Sequence, residues 1–224
     1  MRQQVSDKLN LSVREIYERL LQVPILDSVG KVYFNMRDVK FAVKSKDIIG
    51  GVIQEWVENW LQKENILFSK PANSQEWPDI ILGSGEDLEI KSFNYDASPA
   101  FDLGNFRAYV DSLIDFPNRL FDLHMVFGYS SDEQSGEISI KGIWLKNIWE
   151  LSGPSETNIL ELQVKKGVPY NLRPKKFYSN QVSTFQDHLQ FITALSQAID
   201  KFDIYHNMSG QDWLIKLKEK LINQ

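Results

Sequence analysis

The stretch Trp77-Pro78-Asp79-Ile80-Ile81-Leu82, followed after a short loop by Asp87-Leu88-Glu89-Ile90-Lys91-Ser92, constrains this chain more than any other. The apolar run after Asp79 and the alternation around Glu89 are the pattern of two interior strands joined as a hairpin. Successive side chains of a strand point to opposite faces, so Glu89 and Lys91 share one face while Leu88 and Ile90 bury on the other. Two carboxylates and one ammonium are thereby expected together beside an apolar layer.

Phosphodiester hydrolysis calls for such a set. Asp79, Glu89 and the backbone carbonyl of Ile90 are hard oxygen ligands of the kind that hold a divalent cation with several of its waters in place. Bound there, the cation would lower the pKa of a water and offset charge building on phosphorus. Lys91, an ammonium beside two carboxylates, suits orienting that water or steadying the developing charge rather than taking a proton. The pattern is short, and an edge hairpin with a surface Glu and Lys would carry the same letters. The apolar run and the alternation favour the interior reading.

The arrangement resembles the PD-(D/E)xK nuclease superfamily. Longer phrases are similar to type II restriction endonucleases of the NgoBV family. They are Asp47-Ile48-Ile49-Gly50-Gly51-Val52-Ile53-Gln54-Glu55-Trp56, Leu88-Glu89-Ile90-Lys91-Ser92-Phe93-Asn94-Tyr95-Asp96-Ala97-Ser98-Pro99 and Leu162-Gln163-Val164-Lys165-Lys166-Gly167. The resemblance runs from about the first helix to the basic segment. It implies an α/β (α+β) fold, a restriction-endonuclease-like mixed β-sheet flanked by helices with a helical C-terminal region. It also implies a Mg2+-dependent enzyme that cuts double-stranded DNA at a short palindrome, of the GGNNCC type. A homodimer and a cognate DNA methyltransferase in the same system, without direct contact, follow from that role. In the superfamily a helix before the hairpin often brings a further carboxylate to the metal; Glu55 is the candidate, with a solvated helix Glu as the alternative.

Composition excludes several other chemistries. The 224 residues contain no Cys, which removes disulfides, thiolate metal sites and Cys nucleophiles. The three His (His124, His188, His206) have no ligand spacing and read as surface or packing residues. No phosphate-binding Gly-rich motif is present. No apolar run is long enough to span a bilayer, and Met1-Arg2-Gln3-Gln4 lacks a signal-peptide core, so a cytoplasmic protein with no membrane partner is expected. The net charge of −5 argues against nucleic acid only if the charge is evenly spread.

It is not. Between Leu162 and Gln186 there is no acid, while Lys165, Lys166, Arg173, Lys175 and Lys176 stand among Tyr170, Phe177 and Tyr178. A run of bases, aromatics, Gly and Pro without helical period reads as extended backbone offered to a polyanion, or as a solvated charged face. Asn94, just after the hairpin, is a second candidate for DNA contact, or part of an ordinary polar loop.

The remaining elements follow from periodicity. Helices are expected over about 11–22, 47–63 and 103–116, a hairpin over 29–43 turning near residues 35–38, and strands over 120–129 and 137–145. Gly50-Gly51 in the first turn of the second helix implies close approach, of DNA backbone or of a packed element. A long apolar stripe from Val182 to Phe202, then a second helix from Ser209, either packs on the sheet or forms a two-fold contact. The whole reads as a single domain over 1–224, with a catalytic core at about 46–150, the basic segment at 162–181 and C-terminal helices at 182–222. The rival readings are a nuclease without sequence preference and a non-catalytic scaffold with a structural ion pair.

Overall fold

The structure, a computed structural model, describes residues 8–26, 28–73 and 77–223, so the N-terminal residues Met1–Gln4 lie outside it. The elements in chain order begin with α1 (Val13–Leu21), β1 (Val29–Lys31), β2 (Tyr33–Met36), β3 (Val39–Ala42) and α2 (Ile49–Lys63). Next come β4 (Phe68–Ser69), β5 (Ile80–Leu82), β6 (Asp87–Asn94), β7 (Gly104–Asn105) and α3 (Phe106–Asp115). The chain continues through β8 (Leu123–Ser131), β9 (Glu137–Asn147), α4 (Ile148–Leu151), β10 (Leu162–Lys165) and β11 (Val168–Leu172) to α5 (His188–Lys201) and α6 (Gly210–Ile222). These elements gather into two compact units, one of residues 1–97 and 123–145, the other of 98–122 and 146–224.

The first unit is built on a six-stranded sheet in the order β1-β9-β8-β6-β5-β4. It is mixed, as expected: β6 and β8 run parallel from Leu88↔Leu123 to Asn94↔Tyr129, whereas β5 and β6 form the antiparallel hairpin. Val13, Ile16 and Leu20 of α1 and Ile49, Ile53, Val57 and Leu61 of α2 bury against Ile80, Leu88, Ile90 and Phe127. Ser12 caps α1 by a capping box with Glu15, which is why the helix starts there. The second helix opens with a 3-10 turn (Lys46–Ile48) after Ser45, so its α-helical part begins at Ile49 rather than Asp47. β6 runs on to Asn94, so Ser92, Phe93 and Asn94 are strand, not the loop their polarity suggests; parallel pairing with β8 overrides local turn propensity.

In the second unit β7 and β10 flank β11 in a small antiparallel sheet. Asn105 caps α3, accepting from Ala108 N at 3.1 Å, so the helix expected from 103 starts at Phe106. The C-terminal stripe is spent inside this unit: Phe191, Ile192, Leu195 and Ile199 of α5 and Trp213, Leu214 and Leu217 of α6 are buried. Trp213 Nε1 donates to the carbonyl of Val110 in α3 at 3.0 Å. Asp187 caps α5, so Val182 and Phe185 fall outside the helix. Among the described residues no helix is long and apolar enough to cross a membrane.

The glycines answer the question posed by Gly50-Gly51. A Cβ on Gly50 would stand 3.3 Å from Ser92 Oγ, so this glycine lets α2 approach β6 closely, while one on Gly51 would meet nothing. A Cβ on Gly210 would overlap the carbonyl of Ser196, which makes that glycine the condition for α5 and α6 packing. In chemical denaturation, Gly51→Ala is expected to gain about 0.4–1 kcal/mol, by lowering unfolded-chain entropy. Gly210→Ala is expected to lose about 1–3 kcal/mol, because backbone must move.

Candidate active site

β5 and β6 pair at Ile80↔Leu88 and Ile81↔Asp87, and no ladder pairing extends beyond Ile80 toward Asp79. There side chains take over from the backbone. The Ile90 N–H donates to Asp79 Oδ2 at 2.7 Å, and the Asp79 N–H donates to Glu89 Oε2 at 3.3 Å. Lys91 Nζ lies 2.7 Å from Glu89 Oε1. Asp79, Glu89 and Lys91 thus converge in one hydrogen-bonded cluster, each partly buried. In a strand the N–H and C=O of a residue point to the same side, so the Ile90 carbonyl shares the edge that faces Asp79.

The electrostatics of the cluster are unbalanced. Burial, and then the neighbouring charge of Glu89, push the Asp79 carboxyl above its ordinary value, against the opposing pull of Lys91 and the Ile90 hydrogen bond. Glu58 of α2 adds to the upward push. Asp79 and Glu89 with the one ammonium of Lys91 leave excess negative charge in a partly desolvated place, which a divalent cation would relieve; Glu58 is paired to Lys70. Among the described residues no group of three or more Asp, Glu or His side chains closes at metal-ligand spacing. The donor set still fits a small hard cation, which takes one or two carboxylates, a carbonyl and its own waters.

Of the α2 carboxylates, Glu58 is the one that adds, as the smallest of the named influences, to the raised Asp79 value. Glu55 is exposed, whereas the Glu58 side chain is 12 % exposed, with Oε2 2.9 Å from Lys70 Nζ and Oε1 3.4 Å from Gln54 Nε2. Periodicity does not separate the two: at about 100° per residue Glu55 and Glu58 lie about 160° and about 140° from the centre of the stripe of Ile49, Ile53 and Val57, so only the docking of α2 distinguishes them. His124 is a packing residue, buried and in register with Glu89 on the adjacent parallel strand. Only the pairing of β6 with β8, invisible to spacing, brings it there.

The proposed DNA contacts divide. Asn94 Oδ1 accepts from Asp96 N at 3.1 Å and so closes a local turn at the end of β6. In the second unit Lys166 and Gly167, both at positive φ, form the turn between β10 and β11, and Lys165 Nζ sits 3.6 Å from the Tyr170 ring centroid. Lys165, Lys166 and Lys176 are exposed. Arg173 is 3.1 Å from Asp102 and also donates to the carbonyl of Ala100, and Lys175 is 3.0 Å from Glu161. Acids distant in sequence therefore neutralise part of what reads locally as a purely basic run.

A mixed sheet carrying two carboxylates and a lysine at the open end of a β-hairpin defines a nuclease of the PD-(D/E)xK class. The model of the NgoBV restriction endonuclease family matches residues 10–223, and the chain belongs to that family. It is 36% identical over 199 residues to the type II restriction enzyme NlaIV of Neisseria lactamica, spanning 85% of this chain and 82% of that one. It is also 36% identical over 166 residues to the type II restriction enzyme NgoBV of Neisseria gonorrhoeae, spanning 70% and 92%. Its fold matches a solved structure of NlaIV restriction endonuclease with a TM-score of 0.88 at 33% identity, over 98% of this chain and 93% of the other. The activity class is thus site-specific restriction cleavage, which sets aside the readings as a scaffold or a non-specific nuclease.

The raised Asp79 pKa has a definite linkage sign. A carboxyl held above its unfolded value binds its proton more tightly when folded, so ionisation costs stability as pH rises through the folded value, and the cost vanishes below the unfolded one. Asp79→Asn is therefore expected to melt above the wild type at about pH 7 without divalent cations, and the gap is expected to close below about pH 4. Thermal melts across that range measure it.

Proposed function

We propose that the chain is a Mg2+-dependent type II restriction endonuclease that hydrolyses both strands of duplex DNA at a short palindrome of the GGNNCC type, leaving 5′-phosphate and 3′-hydroxyl ends. The observation that carries this reading is the convergence of Asp79, Glu89 and Lys91 through direct hydrogen bonds at the end of the β5–β6 ladder. Asp79, Glu89 and the Ile90 carbonyl would hold the ion. When bound, Mg2+ supplies a water of lowered pKa and positive charge beside the scissile phosphate.

The chain's own groups do the remaining work. Lys91, tethered to Glu89, orients the attacking water in line with the leaving oxygen and donates to charge that grows on the phosphate. The Ile90 N–H fixes the rotamer of Asp79, so the acceptor oxygens are set before substrate arrives. Glu58 of α2, ion-paired to Lys70, adds a smaller negative influence on Asp79. Lys165, Lys166 and Lys176 offer exposed positive charge to the DNA backbone, with Arg173 and Lys175 contributing less because Asp102 and Glu161 already compensate them. Asn94 would add a polar contact from the end of β6. A homodimer with one centre per strand, working in the cytoplasm alongside a methyltransferase that protects the host's sites, completes the reading.

Asp79→Ala and Lys91→Ala are each expected to abolish cleavage of plasmid DNA while leaving its binding largely intact; full-rate cleavage by either variant removes that residue from the mechanism. Glu58→Gln is expected to raise the Mg2+ concentration needed for half-maximal cleavage, whereas Glu55→Gln is not. Mg2+ at about 100 times its dissociation constant is expected to stabilise the protein by about 2.7 kcal/mol, and the Asp79→Ala variant should not show this gain. Lys165→Ala and Lys166→Ala should each weaken binding to all sequences alike and lower the salt slope by about 1.

A further inference from the structure

The β2–β3 ribbon, in the first unit, has no part in the reaction described above. Its strands pair with each other as a separate two-stranded sheet. The register Phe34↔Phe41 and Met36↔Val39 gathers four apolar side chains on one face, while Asn35↔Lys40 and Tyr33↔Ala42 lie on the other. The four apolar residues are between 42% and 61% exposed, and the rings of Phe34 and Phe41 are 5.5 Å apart. A two-stranded ribbon alone is marginal in water, and a contiguous apolar patch of this kind marks a surface that another body covers.

We propose that this face is the contact through which two copies of the chain associate about a two-fold axis. The proposal rests on the functional reading above, in which two strands of a duplex require two centres and each copy brings one. A two-fold contact must be complementary to itself, and a flat face of two aromatic rings with one Met and one Val stacks on its own image. The tip supplies matching charges: Arg37 and Asp38 are adjacent and exposed, so each can pair with the opposite residue of the mate. The four side chains present roughly half of the ~800 Å² per partner that a standard-size interface buries. The remainder is at hand at the ribbon's root, where exposed Val29 and Trp56 border a cavity of about 370 Å³ lined also by Val52, Ile53, Ile138 and Ile140.

Duplex DNA is a poorer occupant of this face. Phe34, Met36, Val39 and Phe41 offer no cation and no side-chain donor to a phosphate backbone. The ribbon's Lys40 belongs to the opposite face, with its ammonium 4.8 Å from the Tyr33 ring centroid.

Sedimentation of the full-length protein without DNA, over a range of concentrations, tests the proposal. The wild type is expected to dimerise. Phe34→Lys and Met36→Lys are each expected to raise the dimer dissociation constant at least about thirty-fold, the scale of a hot-spot loss, with unchanged circular dichroism because both side chains are exposed. Lys40→Glu, on the other face, is expected to change it less than about threefold, the size of a rim effect. The monomeric variants should nick supercoiled plasmid without linearising it. A wild type that stays monomeric alone and on DNA overturns the proposal. So do lysine variants that dimerise normally, or that dimerise normally and lose DNA binding, since the face would then belong to the DNA. Sedimentation needs no catalysis: an inactive protein that still dimerises through this face would count against the nuclease mechanism and leave the interface standing.

Discussion

Everything at the site depends on how β5 leaves β6. The antiparallel ladder stops at Ile80↔Leu88, and beyond it the Asp79 carboxylate, not another strand, receives the Ile90 N–H. One interaction thus satisfies a strand donor that would otherwise lack a ladder partner and fixes a carboxylate at the open edge. The Asp79 N–H does the same for Glu89, and Glu89 holds Lys91. The strand ending and the Asp79–Glu89–Lys91 cluster are one structural event.

The same event explains the charge imbalance. Backbone donors and a single ammonium do not offset two carboxylates that are partly out of water, and Asp79 bears the consequence in a raised pKa. Ionising such a carboxyl costs stability, an arrangement common where function requires a perturbed group. Glu58 of α2, although paired to Lys70, adds a small push to the Asp79 value, and the close approach of α2 to β6 depends on Gly50 having no side chain opposite Ser92. Sequence, packing and electrostatics meet at that glycine.

The second unit shows a different economy. Its apolar helices α3, α5 and α6 consume their stripes against one another, with Trp213 anchored to Val110 and Gly210 allowing α6 to touch α5. The C-terminal stripe therefore is not left over for a two-fold contact. An exposed apolar face of the first unit lies on the short β2–β3 ribbon, where periodicity gives a hairpin but does not show that it stays uncovered among the described residues.

Much of this was legible in the letters. Alternation along 87–92 placed Glu89 and Lys91 on one face, the apolar run after Asp79 marked an interior strand, and the helical stripes located the helices, because these signals are local and periodic. What lay beyond reach was whatever depends on distant neighbours. Ser92–Asn94 became strand only because β8 lies alongside; Glu58 rather than Glu55 became partly buried only because α2 docks at a particular rotation; Arg173 and Lys175 met Asp102 and Glu161 only when the chain folded back. The sequence by itself determined the residue types of the centre and the strands that carry them. The tertiary structure alone decided which charges meet, because Coulombic and hydrogen-bonding partners are set by separation in space, and separation in space is not periodic in sequence.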